Sequence, residues 1–440
     1  MIKPHLFLAN AICALLWCSM APGLAAQDST QTGKQLTVRK MDIPIEGECI
    51  DVVFYPSQSA MELRPKVIIR KHAVEFLSQS GDIRSRFEST AKSENGLYTR
   101  VSANGEFLAV QEQIVPAYER GQIGEAQFIL FSSDGVLLWQ ETFETNWDDP
   151  PPQYFISSTG IVCKLTWFEG AITFYSPQKM ELAKHAILPN ASKGIYCTWS
   201  PDGRFFAVTS RDPVVRDTYQ SQVLMFDQHG NKLWASTLAN MESSNPIFSS
   251  QAQWIWFRTH KKVPPGYSRG IIYETLSGKK IATVEDDGLI DVTFSHDENL
   301  MLGHLNREYT SYIALYELPS GRRLFQKKAG KRLIDFKFFS DSNLVYLIVD
   351  NTPRGPRKPP VARNQNAPPK LPSSRPFKLI VLDSSGDIKG KADLQFLKGI
   401  PKGSAIHPAS TATVLRIRTG STLVNFDLDT LFLTPESLRP

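Results

Sequence analysis

The chain has 440 residues, of which 42% are hydrophobic and 21% charged, close to globular averages. That balance excludes a disordered chain, a collagen and a disulfide-dense mini-scaffold, and one apolar run at the N-terminus is too few for a polytopic membrane protein. The 49 basic and 44 acidic residues leave a net +5, too weak for a dedicated nucleic-acid binder, so no nucleic acid is expected as a partner.

Residues 1–26 have the three parts of a signal peptide. Lys3 supplies the positive start. Leu6 to Cys18 is apolar except for Asn10. Gly23-Leu24-Ala25-Ala26 offers small residues for cleavage, with a mature start near Gln27. The apolar stretch is shorter than the ~20 residues a helix needs to span a bilayer. Trp17 is too bulky beside Cys18 for a lipidated cysteine. Export to the periplasm or cell exterior is expected, as a monomer with no transmembrane segment after signal removal. Residues 27–44 read as a linker.

Export would remove Cys13 and Cys18, leaving Cys49, Cys163 and Cys197. None has metal-ligand spacing. Cys163 and Cys197 fall in neighbouring repeat units and could meet. A disulfide and two separate buried thiols both remain open.

Two short patterns alternate along the rest of the chain. The first is a strand entering a turn, as in Cys49-Ile50-Asp51-Val52-Val53-Phe54, Leu289-Ile290-Asp291-Val292-Thr293-Phe294 and Leu333-Ile334-Asp335-Phe336-Lys337-Phe338. Another copy, Ile195-Tyr196-Cys197-Thr198-Trp199, runs into Ser200-Pro201-Asp202-Gly203-Arg204. The second pattern is a hairpin, as in Leu130-Phe131-Ser132-Ser133-Asp134-Gly135 before Val136-Leu137-Leu138-Trp139, and Phe226-Asp227-Gln228-His229-Gly230 before Asn231-Lys232-Leu233-Trp234. First-pattern centres fall at 54, 101, 156, 199, 248, 294, 338 and 406. Second-pattern turns fall at 81, 135, 178, 230, 278, 321, 386 and 429. The two sets interleave strictly, one pair per ~50 residues, the period of a four-stranded propeller blade. Such a unit cannot bury both sheet faces alone, whereas radial stacking buries each face against a neighbour. Residues 45–436 are therefore expected to form an all-β fold: a single β-propeller of four-stranded antiparallel blades, eight in number, with seven as the alternative.

Trp199-Ser200-Pro201-Asp202-Gly203-Arg204 resembles the repeat of WD-repeat-like and TolB-like propellers. The stretch Phe226 to Trp234 resembles the blade motif of quinoprotein-like propellers. The resemblance implies a propeller scaffold, which hosts many unrelated activities. The quinoprotein likeness implies a quinone-dependent enzyme as an alternative, with Trp139 and Trp234 at that family's blade-tryptophan positions. The TolB likeness implies a cell-envelope assembly factor as another.

No zinc-protease motif or phosphate-binding loop occurs in the sequence. His296 and His304 flank one hairpin, but two ligands are too few for a typical zinc site. Asp51, Asp291 and Asp335 take equivalent places in three first strands. They read either as a carboxylate ring at a central channel or as a hydrogen-bonding residue repeated with the unit. The favoured function is an exported, non-catalytic propeller without a cofactor or metal, binding a protein, peptide, anionic polysaccharide or lipid headgroup. A metal- or quinone-dependent enzyme at the channel mouth is the alternative.

The expected partner-binding surface lies on the connections from second to third strand, at 113–125, 210–221, 259–269, 305–311 and 351–376. Together these carry a net +8, so the rest of the chain is net acidic. Lys261, Lys262, Tyr267 and Arg269 lie in the third of them. The 353–376 insertion holds eight prolines with Arg354, Arg357, Lys358, Arg363, Lys370 and Arg375, and no acid. Its composition favours an extended, solvated chain.

Overall fold

The computed structural model describes residues 34–35, 37–42, 50–55, 64–90, 97–116, 121–146, 151–167, 169–187, 195–215, 218–239, 242–243, 245–260, 268–286, 288–307, 310–330, 332–339, 342–350, 377–393, 414–419 and 422–427. Residues 1–33 and the centres expected at 406 and 429 lie outside them. The elements below all belong to one compact unit, residues 34–440.

Seven sheets each contain four antiparallel strands in simple up-and-down order. They span residues 51–88, 98–146, 153–186, 196–239, 247–284, 289–330 and 332–393, and are numbered 1 to 7 here. Their first strands are Asp51–Phe54, Tyr98–Val101, Gln153–Ile156, Tyr196–Trp199, Ile247–Phe248, Leu289–Phe294 and Arg332–Phe338. Each ends on the residue expected from the first sequence pattern. The hairpins expected at 81, 135, 178, 230, 278, 321 and 386 each join a third strand to a fourth.

Packing makes these sheets a β-propeller. Side chains alternate across a strand, so one strand can feed two interfaces. Phe206 and Val208 join a core shared by sheets 3 and 4, while Ala207 between them joins the core of sheets 4 and 5. Likewise Leu108 and Val110 pack toward sheet 1, and Ala109 toward sheet 3. Six such cores run between successive sheets from 1 to 7. Middle strands are consequently buried on both faces, as in Ala73–Leu77 and Val345–Asp350.

First strands of neighbouring sheets touch: Gln153–Ile156 meets both Tyr98–Val101 and Tyr196–Trp199, and Leu289–Phe294 meets Arg332–Phe338. Fourth strands such as Ile83–Glu88 and Glu181–Ala186 alternate between exposed and half-buried residues. The first strands therefore gather at the centre and the fourth strands form the rim.

An eighth sheet joins the two ends of the unit. Val414–Thr419 pairs with Thr422–Asp427, whose other edge pairs antiparallel with Thr37–Asp42. Just before it, Lys34–Gln35 adds in parallel to Ile388–Asp393 of sheet 7. The stretch expected as a linker thus contributes two strands to two sheets. Among the described residues the eighth sheet has three strands.

Turns between first and second strands share a buried serine. The carbonyls of Ser102, Ser157, Ser200, Ser249 and Ser295 accept the amides of Gly105, Gly160, Gly203, Ala252 and Glu298 at 2.9–3.1 Å. Their hydroxyls accept the amides of Phe107, Ile161, Phe205, Trp254 and Leu300 at 2.9–3.0 Å. Burying a hydroxyl is costly unless it is bonded, and here the bond also closes the turn. Neighbouring turns are tied together. Asn104 Nδ2 donates to Ser158 O at 2.8 Å, Ser158 Oγ to Pro201 O at 2.7 Å, Arg204 Nη2 to Gln251 O at 3.2 Å, and Gln251 Nε2 to His296 O at 2.9 Å. These bonds link the turns of sheets 2 to 6 into a chain.

Candidate functional site

The first strands of sheets 2, 3 and 4 line a cleft of about 630 Å³ at the propeller's centre. Its wall includes Arg100, Gln153, Phe155, Tyr196 and Trp199, and Asn245 just before sheet 5 completes it. The volume falls within the ~300–1,000 Å³ usual for ligand sites. Arg100 is the one charged residue in the lining among the described residues.

Arg100 is held by aromatic neighbours. Its guanidinium lies 4.2 Å from the Phe155 ring centre and 5.4 Å from that of Tyr98. Nε and Nη2 donate to Tyr98 Oη at 3.1 and 2.9 Å. A guanidinium fixed by stacking loses little further entropy when it binds an anion. The indole of Trp199 is fixed in turn, donating from Nε1 to Phe155 O at 3.1 Å. Tyr196 is 38% exposed and offers its ring to the cleft.

Cys197 also lines the cleft, and Cys163 is fully buried in the same interface core between sheets 3 and 4. Both are free thiols. Burial pushes both upward, with Cys197 adding to the rise at Cys163 and Arg100 partly opposing the rise at Cys197. Cys197 is thus held as a neutral thiol, a poor nucleophile.

The repeated aspartates share one local role. Asp51, Asp291 and Asp335 each accept the amide of the following residue, Val52, Val292 and Phe336, at 2.8–2.9 Å. Burial raises Asp291, and the Asp335 charge raises it further against Lys337 and Arg258. Burial likewise raises Asp335. Among the described residues, no three histidine, cysteine or acidic side chains are grouped to hold a metal.

Trp139 and Trp234 plug the joints between sheets. Trp139 packs edge-on to Phe128 of its own sheet and 5.5 Å from Tyr175 of sheet 3. Trp234 stacks on Tyr273 of sheet 5 at 5.6 Å and donates to Thr275 O at 2.7 Å.

Of the expected partner-binding residues, Arg269 is described. It is half-buried and paired with Glu285 at 3.0 Å, so its charge is matched within sheet 5 and the segment after it. Lys261, Lys262, Tyr267, Arg354, Arg357, Lys358, Arg363, Lys370 and Arg375 lie outside the described residues. Sequence reasoning missed Arg100 and the cleft. The available signal was the position of Arg100, Phe155, Tyr196 and Trp199 within first strands already recognised as such.

No family model matches the chain, and none of the curated proteins resembles it in sequence. Solved structures resemble it in outline. BamB from Moraxella catarrhalis aligns over 90% of this chain and 97% of that one, at 10% identity and a TM-score of 0.48. The dihydro-heme d1 dehydrogenase NirN in complex with DHE aligns over 86% and 74%, at 15% identity and 0.48. A eukaryotic initiation factor aligns over 62% of this chain and 66% of its own, at 15% identity and 0.43. The propeller assignment rests on the chain's own sheets and interface cores. No helix among the described residues is long and apolar enough to cross a membrane.

Proposed function

We propose that the protein is an exported, non-catalytic propeller that binds an anionic partner, seated in the central cleft of sheets 2 to 4. The cleft carries this reading: one arginine over an aromatic ring, amides and further aromatic rings surround about 630 Å³, with no acid among the described lining residues. These are recognition groups, and the thiol among them is held neutral. The signal-like residues 1–26 support export. The basic connections, above all 351–376, support electrostatic attraction of the partner before docking, because exposed charges steer encounter within a Debye length of ~8 Å. The Arg269–Glu285 pair confines that role to the remaining basic residues of the connections.

The test is capture from a native envelope extract with residues 27–440 as bait. A partner should be retained at low salt and released progressively as salt rises. If no component is enriched over a bare matrix, the binding reading fails.

A further inference from the structure

We propose that the cleft seats the free carboxylate of an extended peptide, with Arg100 as its anchor. This rests on the binding reading above and narrows it to one ligand chemistry.

Three observations converge. The first is charge. Among the described residues the lining carries one cation and no acid, which matches one carboxylate. Arg100 spends Nε and one Nη2 hydrogen on Tyr98, and three of its five N–H donors remain for a ligand. It already lies over the Phe155 ring and is bonded twice to Tyr98, so a forked bond to a carboxylate needs little further ordering. The second is the surface beside that anchor. Phe155, Tyr196 and Trp199 give apolar area for the side chains next to the carboxylate.

The third favours a peptide over a sugar acid. Among the described residues Tyr98–Val101 pairs with the second strand of its sheet and no other, and so do Gln153–Ile156 and Tyr196–Trp199. Each first strand therefore turns an edge without a strand partner toward the centre, where the cleft lies, although Trp199 O there accepts Thr198 Oγ1 at 3.3 Å. An extended peptide presents the complementary spacing, and strand addition to a free edge is a general recognition mode. A sugar ring has no such repeat.

The carboxylate could come from a chain end or from an Asp or Glu side chain, and the experiment separates them. The probe is a random hexapeptide library immobilised by its N-terminus, made once with free C-terminal carboxylates and once amidated. The folded chain 27–440 should enrich a subset of the free-acid library. Recognition of a chain end predicts loss of that subset on amidation. Recognition of a side chain predicts that the amidated library is still enriched, but only in members with Asp or Glu. In either case Arg100→Gln should weaken binding about ten- to a hundredfold, the range for a lost hydrogen bond to a charged group. Arg100→Lys, which keeps the charge and loses the fork, should fall between. Tyr196→Glu is a second variant at a partly exposed position. It places an acid in the cleft and should repel the same peptides even if Arg100 variants fold poorly. Binding indifferent to both variants would overturn the proposal. So would equal enrichment of amidated peptides lacking acids, or binding of an oligogalacturonate with no peptide bound. If the bait captures an envelope component yet no carboxylate peptide, this inference falls and the binding reading stands.

Discussion

His304 is half-buried at the joint of sheets 6 and 7, bonded to Ser311 Oγ at 3.2 Å and packed edge-on to Phe336. Burial lowers its pKa from 6.5 to about 4, so the fold holds it neutral. As pH falls from 6.5 toward 4, the unfolded chain gains a proton that the folded chain refuses, and stability contributed by His304 is lost across that window. Asp291 and Asp335, with raised values, act in the opposite direction, so the comparison must be with a variant. His304→Gln should shallow the fall in melting temperature between pH 6.5 and 4, and parallel curves would refute this. A second residue-scale case is Gly278, at φ +67°, where an added Cβ would lie 2.6 Å from Trp234. Gly81, at φ +95°, has open space around the same position. Gly81→Ala should cost the ~1–2 kcal/mol of left-handed strain alone, and Gly278→Ala clearly more, because the Trp234 plug must also move. Equal losses in chemical denaturation would show that the glycine serves backbone conformation only. The glycines were legible in the sequence as turn residues. The second duty of Gly278 was not, because the ring it makes room for belongs to the preceding sheet.

At the scale of elements, the repeat rhythm located the first strands and outer hairpins of seven sheets, because alternation and turn chemistry are local. Even the degenerate hairpin at Gln178 forms, with Lys179 taking φ +67° in place of a glycine. Glu298 does the same at a first turn, at φ +58°, and its carboxylate accepts the Gln251 amide at 2.5 Å in the neighbouring sheet. The strands at 34–35 and 37–42 escaped the rhythm because their partners lie near the other end of the chain. Local composition around them resembles a linker, and only ring closure gives them a place. Removing residues 34–42 would bare the edges of Ile388–Asp393 and Thr422–Asp427, and open edges invite association. The shortened chain should melt several degrees lower and scatter more light on heating. A superimposable melt would show that these strands add nothing to closure.

For the whole molecule, scaffold and proposed recognition surface are separable. Six interface cores run between successive sheets, and residues 351–376 fall in the chain between the second and third strands of sheet 7. Deleting residues 354–375 should leave the melting temperature nearly unchanged while flattening the salt dependence of partner capture. Unchanged capture with an unchanged salt slope would remove the insertion from the binding account. The fold was legible in the sequence because repetition multiplies a weak local signal. The cleft was not, since Arg100, Phe155, Tyr196 and Trp199 come from three units and meet only when the first strands converge. The most direct test of the central claim is photo-crosslinking in the native envelope, with the reactive residue placed at Tyr196 in the cleft or at Leu276, 66% exposed on the outer hairpin of sheet 5. The account predicts a partner adduct from position 196, lost in the Arg100→Gln background, and none from 276. An adduct from 276 alone would place the partner outside the channel and contradict it.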